Sequence, residues 1–208
     1  MKQKLDVVFS GVGGQGVVLL SDIFCEAAMI EDFDVAKAEI HGMAQRGGSI
    51  VAYTRIGNKV ETPLIETGKA DVVVGFEVLE TTRTLPMLKE CGTVIVNMKL
   101  IPPNSLPAGV KLKSTEELLK LLKTKARVHE VDGPGIAHRL GNMLVVNTIL
   151  LGALSALPEV PLKVESFQQA IANRLKRDYI SLNLKAFQLG RESVQNNRDK
   201  NEMTYITR

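Results

Sequence analysis

Residues 5–23 read LDVVFSGVGGQGVVLLSDI and predict a buried β-strand, a glycine turn and the start of an α-helix. In this stretch, Gly11, Gly13 and Gly16 have the spacing at which a strand-to-helix turn tightens and its backbone can approach a pyrophosphate. The first N–H groups of the helix would then point at the anion. A close-packed turn without a ligand is the alternative interpretation. The predicted binding residues of the turn are Gly11, Gly13, Gly14, Gln15 and Gly16.

Length and composition are those of an ordinary globular chain. The 208 residues suffice for one sizeable α/β domain, and 45% of them are hydrophobic and 24% charged. A net charge of +3 is too small to indicate a nucleic-acid partner. The N-terminus runs into a short strand rather than a signal-peptide core, and polar residues interrupt the longest apolar stretch, 143–157. We therefore expect a cytoplasmic protein with no membrane or nucleic-acid partner.

The cysteines and histidines exclude some kinds of site. Cys25 and Cys91 are far apart, so this chain alone can build neither a disulfide framework nor a four-cysteine iron–sulfur cluster. Both are predicted to be buried thiols. The three histidines have no recognisable metal-ligand spacing, so we predict no metal site here.

The alternation of apolar runs and turn residues predicts the element order. Strands are expected at 5–9, 34–40, 50–56, 60–65, 70–76, 93–97 and 127–131, and helices at about 15–30, 79–90, 116–125, 137–157 and 162–189. Strands 50–56 and 60–65 are predicted to pair as an antiparallel hairpin. The fold class is therefore α/β: a Rossmann-like three-layer domain with a mostly parallel sheet, an inserted antiparallel hairpin and C-terminal helices. We expect a domain at 1–157 and a helical extension with a polar tail at 158–208, packed on the domain or on a partner.

Two carboxylates follow predicted strands. Glu39 lies at about the distance past the glycines at which a dinucleotide site places an acid for a ribose hydroxyl. A solvated or Arg-paired carboxylate is the alternative for Glu39. Glu77 follows the apolar strand 70–76, at the strand end where ligands of open α/β sheets bind. Capping of the next helix is the alternative for Glu77.

The loop 41–49, HGMAQRGGS, has the composition of a contact loop. Backbone N–H groups at Gly47 and Gly48 can form an anion nest, and Arg46 can bind a phosphate or carboxylate with two hydrogen bonds. Gln45 shares this loop, as does His41, for which a hydrogen-bonded structural role is favoured over general acid–base catalysis. A wide loop whose glycines only relieve strain is the alternative.

The sequence has no complete catalytic apparatus of a familiar kind. We find no G-x-S-x-G elbow, no metal-ligand cluster, no P-loop lysine and no close pair of carboxylates. A phosphate-binding unit without reactive groups is typical of a subunit that works within a larger enzyme.

Three strings together resemble a known family. GVGGQG at 11–16, EIHGMAQRGGS at 39–49 and ADVVVGFE at 70–77 resemble the gamma-type domain of 2-oxoacid:ferredoxin oxidoreductases. Within that family, the likeness is greatest to beta subunits of the indolepyruvate:ferredoxin oxidoreductases. The resemblance extends from about residue 5 to about residue 157.

This resemblance implies a place in a multi-subunit, oxygen-sensitive enzyme. Such an enzyme decarboxylates a 2-oxoacid with thiamine diphosphate, passes electrons through iron–sulfur clusters to ferredoxin, and releases an acyl-CoA. The thiamine and cluster sites would belong to a larger partner subunit. This chain would be a non-redox subunit, not catalytic alone, that helps to bind coenzyme A at the glycine turn.

Two alternatives and one question stay open at this point. A stand-alone NAD(P)- or flavin-binding reductase would use Glu39 to bind the ribose. A module that senses CoA or nucleotides would need no catalytic partner. Nine aromatic residues provide no obvious stacking cage, so the 2-oxoacid cannot be chosen from the residues.

Overall fold

The computed structural model describes residues 2–42, 47–103, 106, 109 and 111–206, with side chains up to residue 195. Two 3-10 turns, Leu85–Met87 and Met143–Val145, accompany the main elements. The strands are β1 (Leu5–Val12), β2 (Asp34–His41), β3 (Ser49–Gly57), β4 (Ala70–Gly75), β5 (Leu88–Asn97) and β6 (Arg127–Val131). The helices are α1 (Val17–Ile30), α2 (Val78–Thr84), α3 (Thr115–Lys123), α4 (Gly133–Arg139), α5 (Val146–Ser155), α6 (Val164–Arg174) and α7 (Arg177–Ile206).

The strands form one six-stranded sheet in the order β2-β3-β1-β4-β5-β6. β1, β4, β5 and β6 run parallel, whereas β3 runs antiparallel to both of its neighbours, β1 and β2. The prediction of a mostly parallel α/β sheet that contains an antiparallel hairpin is confirmed.

The hairpin is formed by different strands from those predicted. β2 and β3 are the paired strands, and residues 60–65 form no strand. Both edges of β3 are already occupied by β1 and β2, so no edge is left for residues 60–65. Side chains hold this segment instead: the Asp34 carboxylate accepts a hydrogen bond from Val60 N at 2.8 Å, and Arg55 Nη1 donates to the carbonyl oxygens of Thr62 and Leu64 at 3.2 and 3.1 Å.

Three helix predictions need correction. The predicted helix 137–157 is divided into α4 and α5, because Gly141 takes a left-handed conformation, φ 72°, after the end of α4. The predicted helix 162–189 is divided into α6 and α7 by the extended backbone of Leu175. The predicted helix 79–90 ends at Thr84, where a 3-10 turn containing Pro86 leads into β5.

Two further expectations concern Cys91 and the C-terminal tail. Cys25 is buried as predicted, but Cys91 is exposed, with φ 58°, in the irregular first half of β5. The predicted polar tail is helical in its backbone, because α7 continues to Ile206.

Helices cover both faces of the sheet and make three layers. A larger core on one face joins β1 to α1, α5, α6 and α7, and a smaller core on the other face is closed by α2 and α3. Ring contacts of 5.9, 6.2 and 5.7 Å between centroids connect the sheet to the C-terminal helices through Phe9, Phe24, Phe167 and Phe187. The C-terminal helices thus share the main core, while the division at residue 157 stays a prediction.

α5 and α7 approach each other through glycines. A Cβ atom on Gly152 would lie 2.0 Å from the Phe187 carbonyl oxygen, and one on Gly190 would lie 1.9 Å from the Ile149 carbonyl oxygen. The two backbones therefore touch directly, and any side chain at either glycine would push the helices apart. No helix in the described part of the chain is long and apolar enough to cross a membrane.

Candidate functional site

A cleft of about 400 Å³ lies where the parallel strands β1, β4, β5 and β6 end. Open α/β sheets bind ligands at this edge. We call this space the glycine-turn cleft. Its lining residues are Gly14, Gln15, Gly16, Leu19, Phe76, Asn97, Lys99, Pro134, Met143, Leu144, Val146 and Asn147.

The glycine turn has the geometry that its sequence predicts. Gly14 and Gly16 have φ angles of 96° and 85°, in the left-handed region that favours glycine. A Cβ on Gly11 would lie only 2.7 Å from the Cβ of Phe76, so Gly11 lets β1 pass close to the end of β4. Gly13 N donates to Gly48 O at 2.9 Å and thereby connects the turn to the 41–49 loop.

The Gln15 side chain connects the glycine turn to the end of β4 by two hydrogen bonds. Its Oε1 accepts from Val12 N at 2.6 Å and its Nε2 donates to Phe76 O at 3.1 Å. The side chain of Asn97 reaches the same carbonyl oxygen at 3.0 Å and accepts from Gly133 N at 3.2 Å. The side chains of Gln15 and Asn97 thus connect the ends of β1, β4 and β5 with the start of α4. These hydrogen bonds hold the floor of the cleft in place.

The N-terminus of α1 opens on the cleft without a cap. Gly16 is the N-cap residue, no side chain caps the first turn, and the first turn contains no acidic residue. The partial positive charge of a helix N-terminus is therefore not neutralised by the helix itself. Lys99, from the segment after β5, lines the same cleft and adds a positive charge. The arrangement suits an anionic ligand.

Asn147 provides a side-chain hydrogen-bond donor in the cleft wall. The residue is 6% exposed, and its Oδ1 accepts from Thr148 N at 2.8 Å and from Thr148 Oγ1 at 3.3 Å. Its Nδ2 donates to no described residue and lies so close to Gly16 that a Cβ there would be 2.9 Å away. Nδ2 itself is accessible from the cleft, so a ligand acceptor beside the α1 N-terminus would receive its hydrogen bond.

Sequence reasoning missed Asn97, Lys99 and Asn147. None lies in a recognisable motif, and their positions in the cleft depend on the tertiary fold. A signal existed for Asn147 because it is a polar residue inside the apolar stretch 143–157. A polar side chain in such a stretch needs a hydrogen-bond partner, so it indicates either a structural hydrogen bond or a site.

Glu77 has the capping role that was its alternative interpretation. The side chain is fully buried, and its carboxylate accepts hydrogen bonds from the backbone N–H groups of Leu79, Glu80 and Ile101. Burial raises the pKa of Glu77, and these N–H groups offset only part of that effect. Glu77 fixes the start of α2 and does not line the glycine-turn cleft.

Glu39 and His41 lie on β2, outside the lining of the cleft. The Glu39 carboxylate is 2.6 Å from Lys37 Nζ and 3.1 Å from His41 Nε2. Burial alone would raise the pKa of Glu39, but its hydrogen bonds and ion pairs with Lys37 and His41 hold the pKa below its ordinary value. An ion-paired carboxylate was the alternative interpretation, although with an arginine as the expected partner.

The remaining predicted residues lie in the 41–49 loop. Gly48 accepts the hydrogen bond from Gly13, and Gly47 has φ 76°. Gln45 and Arg46 lie outside the described residues. An anion nest at Gly47 and Gly48 stays a prediction.

A larger cavity, about 800 Å³, lies at the opposite ends of the strands. It is lined by residues that begin β5 and β6, and two of its cations, Lys89 and Arg127, are paired with Asp71 and Glu159. Because the larger cavity includes none of the predicted site residues and two of its three cations are engaged in ion pairs, we consider the smaller glycine-turn cleft the candidate site.

Comparison with known proteins agrees with the fold. The sequence model of the pyruvate ferredoxin/flavodoxin oxidoreductase family matches residues 6–193, and the chain belongs to this family. It is thus a subunit of a 2-oxoacid:ferredoxin oxidoreductase, of the type that is not catalytic alone.

Curated relatives indicate the branch of the family. The chain is 40% identical over 187 residues to indolepyruvate oxidoreductase subunit IorB of Methanothermobacter thermautotrophicus, which covers 89% of this chain and 95% of the relative. The corresponding subunit of Archaeoglobus fulgidus is 39% identical, covering 90% and 94%. The pyruvate/ketoisovalerate oxidoreductases common subunit gamma of Thermococcus litoralis is 32% identical, covering 88% and 92%.

Solved structures share the fold. The gamma subunit of a keto/oxoacid ferredoxin oxidoreductase from Geobacter sulfurreducens superposes with a TM-score of 0.69 at 25% identity, covering 92% of this chain and 99% of that one. A 2-oxoglutarate:ferredoxin oxidoreductase from Magnetococcus marinus, with 2-oxoglutarate, coenzyme A and succinyl-CoA bound, superposes with a TM-score of 0.72 at 16% identity. The match covers 94% of this chain but 32% of that longer one, and shows likeness of fold alone.

Proposed function

We propose that this chain supplies the coenzyme A phosphate site of an arylpyruvate-type, indolepyruvate-using 2-oxoacid:ferredoxin oxidoreductase, and that the site is the glycine-turn cleft. The observation that carries the proposal is the unpaired Nδ2 of the largely buried Asn147, which is accessible from the cleft beside the uncapped N-terminus of α1. The IorB relatives support the choice of indolepyruvate, and the bound coenzyme A of the Magnetococcus enzyme supports the choice of ligand.

The lining of the cleft offers groups that suit two parts of coenzyme A. The pyrophosphate would accept hydrogen bonds from the first N–H groups of α1 and from Asn147 Nδ2, with Lys99 nearby to neutralise charge. Apolar side chains at the cleft mouth, Leu19 and Leu144, would contact the less polar pantetheine arm. The chain would thus hold the thiol of coenzyme A in position to accept an acyl group.

The overall reaction converts a 2-oxoacid, coenzyme A and two oxidised ferredoxins into an acyl-CoA, carbon dioxide, two reduced ferredoxins and a proton. Thiamine diphosphate and iron–sulfur clusters, held by a larger partner subunit, would supply the decarboxylation and the electron path. In this chain, Gln15 and Asn97 keep the cleft floor rigid, so that the bound coenzyme A has a defined direction.

The stand-alone reductase is not proposed. It requires Glu39 close to the glycine turn, where the acid would bind a ribose, but Glu39 lies outside the lining of the cleft and is paired with Lys37. No observation favours a module that only senses CoA or nucleotides.

The proposal is tested with Asn147→Asp in the assembled, anaerobically purified enzyme. A carboxylate at this position would repel the phosphate, so we expect the Kd for coenzyme A to rise about tenfold or more. Isothermal titration with coenzyme A measures this Kd, and steady-state assays should show a higher KM for coenzyme A but not for the 2-oxoacid.

Lys99→Ala, with Lys125→Ala as its control, provides a matched pair. Lys125 lines the larger cavity at the far end of the sheet. Lys99→Ala should weaken coenzyme A binding several-fold, about 1 kcal/mol, and Lys125→Ala should leave the Kd unchanged. Unchanged affinity in both Asn147→Asp and Lys99→Ala would refute coenzyme A binding in this cleft.

A further inference from the structure

The outer edge of β2 is a part of the sheet that the proposed function does not use. β2 is the terminal strand of the sheet and pairs on one side with β3. Gly42 N donates to Ser49 O at 2.8 Å, and hydrogen-bonded pairs alternate along an antiparallel ladder. The even-numbered residues of β2 therefore bond to β3. The odd-numbered residues, which direct their N–H and C=O groups outward, are Val35, Lys37, Glu39 and His41.

These outward backbone groups have no hydrogen-bond partner among the residues that the structure describes. β2 is eight residues long and contains neither proline nor an irregularity in its register with β3. Edge strands of this length commonly carry a device that prevents pairing with another chain, or they pair with one. Charged side chains are another such device, and β2 carries Lys37 and Glu39, so this edge accepts only a neighbouring strand with complementary charges.

The hydrophobic surface of the sheet continues to this edge. The register places Ala36, Ala38 and Ile40 on the same face as Tyr53 and its neighbours in β3. On this face α2 and α3 pack against the other strands of the sheet. Ile40 is 54% exposed, and Ala36, Ala38 and Tyr53 are half-buried. A neighbour along the β2 edge would extend this surface and shield Ile40.

The charges of β2 are complementary to those of a second β2. Residues 35–41 read VAKAEIH, with a cation and an anion on either side of Ala38. An antiparallel copy related by a two-fold axis at Ala38 places Lys37 of each chain opposite Glu39 of the other. It also aligns the outward backbone groups at these two positions, and it places Ala36 opposite Ile40. Registers centred on Lys37 or Glu39 would instead bring like charges together.

We propose that this chain self-associates through β2, with the two-fold axis at Ala38, so that two six-stranded sheets join into one. The interface uses reciprocal pairs of Lys37 and Glu39, which in the single chain bind each other and, for Lys37, Asp22. The assembled enzyme would then contain two copies of this subunit related by the same axis. The glycine-turn cleft does not include β2, so coenzyme A binding and self-association are separable.

Sedimentation of the full chain tests the charge pairing. Lys37→Glu and Glu39→Lys each place like charges across the axis and should raise the dimer dissociation constant about tenfold. The double variant Lys37→Glu/Glu39→Lys restores opposite charges between copies and should associate more tightly than either single variant. Circular dichroism of each variant identifies loss of folding.

A cysteine pair tests the register without changing charge. In a Cys91→Ser background, Ala38→Cys places two thiols in a non-hydrogen-bonded pair with Cα atoms about 4.5 Å apart, within reach of a disulfide. Ala36→Cys is the control, because its two copies would be four residues apart along the strands, about 13 Å. The cross-link is measured on the full chain and on the enzyme assembled with the larger subunit.

The expected result is a disulfide dimer for Ala38→Cys and none for Ala36→Cys, together with the rescue by the double charge variant. A chain that sediments as a monomer up to about 100 μM and forms no Ala38 cross-link in either preparation would overturn the proposal. A dimer that neither charge reversal weakens would overturn it too, because the interface would then lie elsewhere.

Discussion

Individual residues of this chain perform tasks that their local sequence does not show. Gln15 lies in the glycine motif and was predicted to bind a ligand, yet its amide forms hydrogen bonds that connect the turn to the end of β4. Asn147 lies in an apolar helix, yet it provides a hydrogen-bond donor to the cleft. Glu77 ends an apolar strand, but its buried carboxylate caps α2. Residue type therefore indicates which chemistry is available, and the neighbours decide how it is used.

The two cysteines should differ strongly in reactivity. Burial raises the pKa of the Cys25 thiol to about 11, and its Sγ lies against Thr54 Oγ1 in the core, so little of the reactive thiolate forms at pH 8. Cys91 is exposed. A thiol-disulfide reagent at pH 8 should modify one thiol per native chain rapidly and the second only after unfolding in denaturant.

The control for the thiol experiment is Cys91→Ser, which should abolish the rapid phase and leave the slow one. Two rapid phases in the native wild-type chain would contradict the burial of Cys25.

Among the elements, helices α5 and α7 pack so closely that their backbones touch, because glycines at the contact carry no side chain. Phe187, on α7, lies in a row of aromatic rings that leads to the sheet through Phe167, Phe24 and Phe9. α5 is buried along nearly its whole length and contacts α7 backbone to backbone at Gly152 and Gly190. Because α5 also carries Asn147 and begins at the cleft, the spacing of these two helices affects the site.

Gly152→Ala should destabilise the chain. The added Cβ would overlap the Phe187 carbonyl oxygen, which is backbone and cannot rotate away, so we expect a loss of about 1–3 kcal/mol in the free energy of unfolding. Urea denaturation followed by circular dichroism measures it. Gly57→Ala is the matched control: its Cβ would meet nothing closer than 3.7 Å, and we expect a change below about 0.5 kcal/mol. Equal effects of the two substitutions would refute the close approach of the helices.

At the scale of the whole molecule, the glycine-turn cleft opens beside an apolar rim. Met143 and Leu144 are 50% and 81% exposed, and Met98, next to the cleft residues Asn97 and Lys99 in the chain, is 43% exposed. Met143 and Leu144 line the cleft itself, and Met98 directly precedes Lys99. A partner subunit that covers this rim would remove these side chains from water and close the cleft.

Leu144→Asp tests the rim as a subunit contact. Placing a charge at the centre of an apolar contact should weaken assembly with the larger subunit by about tenfold or more, without changing the stability of the isolated chain. Co-purification of the tagged chain with its partner at native abundance measures assembly. Leu121→Asp on α3, where Leu121 is 38% exposed, is the control and should assemble normally.

Normal assembly of the Leu144→Asp variant would place the subunit contact elsewhere. Loss of assembly in both variants would show that an added charge at any exposed leucine is sufficient, which would equally contradict the rim as the contact.

The sequence by itself determined the α/β class, the parallel strands, the glycine turn and the family, because these depend on local requirements. Gly14 and Gly16 need left-handed backbone, and buried strands need runs of apolar residues, so both features are readable over a few residues. The tertiary structure alone decided which strand partners β3, where α4 ends and α5 begins, and which side chains meet at the cleft. Asn97, Lys99 and Asn147 come together from segments distant in the chain: the order of the strands brings Asn97 and Lys99 to the turn, and the packing of α5 brings Asn147.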